Sequence, residues 1–193
     1  MDKYRGTVLK FKEYVVGREF FCFDTETTGL SASENDIIQF SAIRYMETDG
    51  KYVETGRFDT YINPGYPIPA EITDITGISD ETVKDAPNAS EAARRIKGFL
   101  GERPIVIGYN SESFDENFVN FLYRKTIGED FTPEFHLDVI KMARDKFPKP
   151  HKLVDMAGRA GIAEGVKFHS SLEDADATFK VMLYLLPMYD KPE

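Results

Sequence analysis

The chain has 193 residues, 41% of them hydrophobic, which is enough to bury one substantial core, and no shift in composition divides it. No window approaches the roughly 20 apolar residues of a membrane helix, and the single cysteine, Cys22, excludes an internal disulfide. A net charge of −9 argues against broad electrostatic grip on nucleic acid, unless bound divalent cations supply positive charge at a local site.

Residues 1–17 mix Lys, Glu and apolar residues without a long apolar run or a small-residue cleavage site, so they read as an N-terminal extension and not as a leader or anchor. Residues 18–193 are expected to form a single domain. Phe20 to Asp24 is a short apolar run ending in charge, the first strand, and Thr27-Thr28-Gly29-Leu30 reads as a turn. Cys22 inside that run suggests a buried, reduced thiol and therefore the cytoplasm. Ile37 to Met46 and Lys51 to Ile62 are rich in β-branched and aromatic residues, with Thr48-Asp49-Gly50 between them as a tight hairpin. Asn63-Pro64-Gly65 stops the sheet, and Ile68 to Asp85 reads as short helical turns.

The pattern then becomes strand-helix alternation. Ala89 to Leu100 is helical, Pro104 to Tyr109 a buried strand, Phe114 to Ile127 an amphipathic helix and Phe135 to Val139 a last strand. Ile140 to Phe147, Leu153 to Ala160 and Leu172 to Leu186 complete the helices. The expected class is α/β: a five-stranded mixed sheet, three strands in an antiparallel meander followed by two parallel ones, flanked by helices.

Asp24 and Glu26 are one residue apart at a strand end, so the period-two rule puts both carboxylates on one face. Such a pair suits a hard cation with oxygen ligands. Asp115 and Asp174, taken singly, read as helix-start acids: Ser113 with Glu116, and Ser171 with Asp174, have capping-box spacing. Placed together at one sheet edge, four carboxylates would repel and raise one another's pKa values, which calls for bound cations. An all-oxygen set suits Mg²⁺ or Mn²⁺ and has none of the Cys and His spacing of zinc. His169, in the loop before the last helix and close to Asp174, is suited to taking a proton from water. His136 and His151 read as ordinary surface or packing residues.

These segments resemble the DEDDh 3′-5′ exonucleases of the ribonuclease H-like superfamily, the family that includes the epsilon proofreading subunit of DNA polymerase III and RNase T. Phe23 to Leu30 is similar to that family's first motif, Asn110 to Asp115 to its second and His169 to Asp174 to its third. The second motif is one residue longer than the usual Asn-x-x-Phe-Asp. The resemblance implies a ribonuclease H-like fold, two divalent cations held by Asp24, Glu26, Asp115 and Asp174, and His169 as general base. Thr27, Gly29, Leu30, Asn110 and Phe114 are the implied substrate contacts, with Leu30 and Phe114 as apolar wedges against the terminal base. Asp138 resembles a structural position of the family.

The expected activity is release of nucleoside monophosphates from the 3′ ends of single-stranded or frayed DNA, in proofreading or repair. An exoribonuclease with the same site, and a non-catalytic nucleic-acid or polymerase-docking module, are the alternatives. Expected partners are the 3′ end of nucleic acid, DNA favoured over RNA, with a DNA polymerase or a second copy of the chain also in view, and no membrane.

Overall fold

In the computed structural model, which describes residues 3–190, five strands form one sheet. They are β1 (Glu19–Thr27), β2 (Ile37–Thr48), β3 (Lys51–Tyr61), β4 (Ile105–Gly108) and β5 (Phe135–Asp138), ordered β3-β2-β1-β4-β5. β3, β2 and β1 pair antiparallel, whereas β4 and β5 run parallel to β1. This is the mixed sheet expected. The hairpin closes through Asp49 and Gly50, both at positive φ (53° and 75°), as a two-residue turn matching strand twist requires.

The helices are α1 (Arg5–Tyr14), α2 (Ala70–Thr76), α3 (Asp80–Val83), α4 (Ala89–Leu100), α5 (Asp115–Ile127), α6 (Val139–Lys146), α7 (Leu153–Ala160) and α8 (Ser171–Leu185). Among the described residues no helix is long and apolar enough to cross a membrane. Two core clusters lie on opposite faces of the sheet. Phe20, Cys22 and Ile43 pack with α8 residues Ala175, Phe179 and Met182. Phe21, Phe23 and Phe40 pack with Ala92 and Ile96 of α4 and Phe118 and Val119 of α5. Alternation along β1 thus assigns even-numbered residues to α8 and odd-numbered ones to α4 and α5.

One local expectation is corrected. β1 does not end at Asp24: pairing with β2 continues through Glu26↔Gln39 to Thr27↔Ile37, with a bulge between Glu26 and Thr27. The cause is the long partner strand, which offers ladder bonds past the expected turn. Within the stretch read as an extension, of which Met1 and Asp2 lie outside the described residues, α1 forms, and its Val8 and Phe11, with Val15 directly after it, are completely buried in the α8-side cluster. Their spacing of three and four supplies an apolar stripe. Residues 191–193 of the expected domain also lie outside the described residues. Asp145 at the end of α6 accepts hydrogen bonds from the Lys3 N–H (2.9 Å), the Tyr4 N–H (3.4 Å) and the Tyr189 hydroxyl (3.2 Å).

Candidate active site

The strand alternation that buries Phe20 and Cys22 against α8 carries Asp24 and Glu26 onto the same face, one and two steps further on. The Cys22 thiol donates to the Ala175 carbonyl (3.1 Å), and the residue before Ala175 is Asp174. One carboxylate oxygen each from Asp24, Glu26 and Asp174 therefore comes within 4.8 Å of the others. On the opposite face the next odd residue, Thr25, meets the first residue of α5: Asp115 Oδ1 accepts from the Thr25 N–H (3.0 Å) and hydroxyl (2.5 Å). Thr25 was not singled out in the sequence, although its place between two acids on the alternate face is legible there.

Neither helix-start acid is explained by a capping box. α5 has no side-chain cap: the Ser113 hydroxyl donates instead to the Asn110 carbonyl (3.1 Å) and the Asn110 side chain (3.2 Å), and Glu116 binds His136. α8 likewise has none: its N-cap is Ser170, one residue before the serine of the expected box, and the Ser171 hydroxyl pairs with Ser41 of β2 (2.5 Å). A loop partner takes the serine hydroxyl at α5 and a strand partner takes it at α8. Asp138 caps α6 through the Ile140 N–H (3.2 Å) and accepts from the Asn110 N–H (2.8 Å), consistent with a structural role.

Electrostatics set these acids apart from the surface. Burial first, then the carboxylates of Asp115, Asp174 and Glu26, push Asp24 well above the ordinary carboxylate range. Burial with Asp174 and Asp115 raises Glu26 to about 7. Asp174 rises to about 6 through burial, opposed by the His169 N–H, and Asp115 to about 6 through burial, opposed by Thr25. Asp174 Oδ2 accepts from the His169 N–H (3.0 Å), while Oδ1 is buried without a hydrogen-bond partner. An orphaned buried carboxylate oxygen beside two desolvated acids fits a hard divalent cation, which would supply the missing positive charge. Asp115 lies outside the trio whose oxygens converge, and its charge acts on that trio by raising Asp24.

Around the acids, the Thr27 hydroxyl donates to the Gly29 carbonyl (2.6 Å), and Thr28, Asp36 and Tyr66 brace the same loop. Gly29 packs where a Cβ would collide with the Asn35 side chain. Leu30 stands 87% exposed on this braced loop. Phe114 packs against Phe118, ring centroids 4.9 Å apart and planes tilted by 47°. Three described non-glycine residues have positive φ: Asp49 in the hairpin, and Asn110 (62°) and His169 (67°). The latter two flank the acids, where strain of this kind is retained when the local arrangement matters. The His169 side chain is exposed.

His136 is not an ordinary packing residue. It is half-buried, with Nε2 2.8 Å from the Ser111 hydroxyl and Nδ1 2.5 Å from Glu116 Oε2. His151 does pack locally, its Nε2 bonded to the Phe147 carbonyl (2.8 Å).

Residues 21–182 match the profile of a family described as Exonuclease (RNase_T). A DNA polymerase III PolC-type protein of Bacillus subtilis (strain 168) is 30% identical over 181 residues, covering 93% of this chain and 12% of that protein. The corresponding protein of Streptococcus thermophilus (strain ATCC BAA-491 / LMD-9) is 33% identical over 197 residues, covering 97% and 12%. The chain thus spans a small part of these relatives. Among solved structures, E. coli Exonuclease I in complex with a dA16 oligonucleotide superposes with a TM-score of 0.72 at 20% identity, covering 89% of this chain and 42% of that one. An Exonuclease I from Methylocaldum szegediense gives 0.72 at 20% identity, covering 91% and 41%.

Proposed function

The chain belongs to the RNase T exonuclease family, the DEDDh-type 3′-5′ exonucleases of ribonuclease H-like fold, and on that premise we propose that it shortens DNA from the 3′ end, releasing nucleoside monophosphates. The observation that carries the reading is the buried, unpartnered Asp174 Oδ1 beside Asp24 and Glu26.

Asp24, Glu26, Asp115 and Asp174 would hold two divalent cations, Mg²⁺ or Mn²⁺, which would supply Lewis acidity toward the phosphodiester and acidify water. His169 accepts the proton of the attacking water. The water oxygen bonds to phosphorus, the bond from phosphorus to the 3′ oxygen breaks, and the shortened strand keeps a 3′ hydroxyl. The His169 main chain is held next to the acids by its N–H bond to Asp174, and its ring is exposed. Leu30 and Phe114 separate the terminal base from its neighbour, and Thr27, Gly29 and Asn110 line the terminal nucleotide. Stacking and wedging of this kind read no sequence.

DNA is favoured over RNA because the relatives are DNA polymerases by name and the structural neighbour was solved with a deoxyoligonucleotide. The same relatives favour a polymerase partner, and a proofreading role, over a homodimer. The buried free Cys22 fits the cytoplasm.

The test is end-labelled single-stranded DNA, duplex DNA and RNA incubated with Mg²⁺ or Mn²⁺. Stepwise release from the 3′ DNA end is expected, with Asp24→Asn reducing the rate by at least about 10² through lost charge stabilisation. Digestion from the 5′ end, or an Asp24→Asn protein as active as the parent, would sink the reading.

A further inference from the structure

The second motif runs Asn110-Ser111-Glu112-Ser113-Phe114-Asp115, and its extra residue must be folded away without moving Asp115. Ser111 is the residue that turns inward, and it is completely buried. It occupies the space above Gly108 at the end of β4, where any Cβ would collide with its side chain. Only glycine at 108 leaves that room.

The buried Ser111 hydroxyl is satisfied by His136 Nε2, and the other ring nitrogen binds Glu116. With Nδ1–H donating to the Glu116 carboxylate, Nε2 accepts the serine hydrogen, so a single tautomer fits both partners. Ser111 lies four residues before Asp115 and Glu116 one after it, so one imidazole on β5 holds both sides of the loop that delivers Asp115. The ring sits over Phe23 of β1 at a centroid distance of 6.3 Å, which ties the clamp to the strand bearing Asp24. The backbone adds its own closure, from the Glu116 N–H to the Ser111 carbonyl (2.9 Å).

We propose that His136 is a positioning residue for Asp115, clamping the elongated second motif through Ser111 and Glu116. The proposal rests on the exonuclease reading, since the quantity it affects is the placement of a metal-holding carboxylate. His136 touches no substrate in this scheme.

The test measures Mn²⁺ affinity by calorimetry, and kcat and KM on single-stranded DNA, for the parent and for His136→Leu, Ser111→Ala, Glu116→Ala, Glu116→Gln and the Ser111→Ala/Glu116→Ala double variant. Removing a residue that orients a ligand lowers metal affinity about 10- to 100-fold, so His136→Leu should weaken Mn²⁺ binding by about tenfold or more. kcat should fall in parallel while KM stays within about twofold, the pattern of a loss felt in the transition state. Glu116→Gln keeps an acceptor for Nδ1 and should restore near-parental values.

The Ser111→Ala/Glu116→Ala double variant should be no worse than either single one, because each alone opens the clamp. Additive losses, or a folded His136→Leu protein with parental Mn²⁺ affinity and kcat, would overturn the proposal. Should His136→Leu fail to fold, the serine and glutamate cycle decides alone, and an absence of coupling there rejects the clamp. A parent protein that neither binds Mn²⁺ nor shortens DNA would remove the exonuclease reading itself, and the clamp with it. A parent that does both, with an inert clamp, removes the clamp alone.

Discussion

At residue scale, the left-handed backbone of His169 decides how its role is best probed. A β-carbon at φ 67° is costly for most residues but tolerated by asparagine, so His169→Asn removes the imidazole with little loop strain. The N–H bond to Asp174 belongs to the backbone and survives the change. The expected result is a rate loss of about 10² to 10⁴ with Mn²⁺ affinity kept, the range for removal of a general base. A collapse of Mn²⁺ affinity would instead make His169 a ligand-holding residue. The acids Asp24, Glu26 and Asp174 were legible in the sequence because strand periodicity and a helix start are local rules. Thr25 and His136 were less so: each bonds a partner far along the chain, 90 positions away for Thr25 and 20 and 25 for His136, and no local pattern marks such a partner. His136 in particular looked as unremarkable as His151 until β5 was placed beside β4.

At element scale, α1 shows what a weak apolar stripe conceals. Its buried residues are few, yet Phe11 is fully buried and packs edge-on against Phe20 at 5.7 Å. Phe11→Ala should lower unfolding stability by about 3 to 5 kcal/mol in urea titration, with an unchanged m-value if only the cavity is responsible. A loss under about 1 kcal/mol would mean that α1 frays independently of the sheet. Strand order and helix succession could be read beforehand because each segment carried its own period and its own breakers, such as Asp49-Gly50 and Asn63-Pro64-Gly65. Capping could not. Ser113 and Ser171 have the right spacing for capping boxes, but the hydroxyls find partners supplied by the loop and by β2. Local propensity is a weak prior wherever tertiary contacts offer a competing bond.

At the scale of the whole molecule, a net charge of −9 and four raised carboxylates make metal and pH jointly decisive. In the metal-free protein Glu26 titrates near 7 and Asp115 and Asp174 near 6, all above their ordinary values. The folded state then binds more protons than the unfolded one between about pH 4 and 7, so stability falls as pH rises through that window. The melting temperature of chelator-treated protein should be lower at about pH 8 than at about pH 5, and Mn²⁺ should raise it more at the higher pH, where fewer protons must leave. A metal-free melting temperature that rises over that range would contradict the cluster's electrostatics. One further property follows from the carboxylate of Asp145, on which the Lys3 and Tyr4 amides and the Tyr189 hydroxyl converge. One carboxylate thus serves two stretches of chain far apart in sequence, so neutralising Asp145 should loosen the Lys3–Tyr4 segment and the Tyr189 segment together.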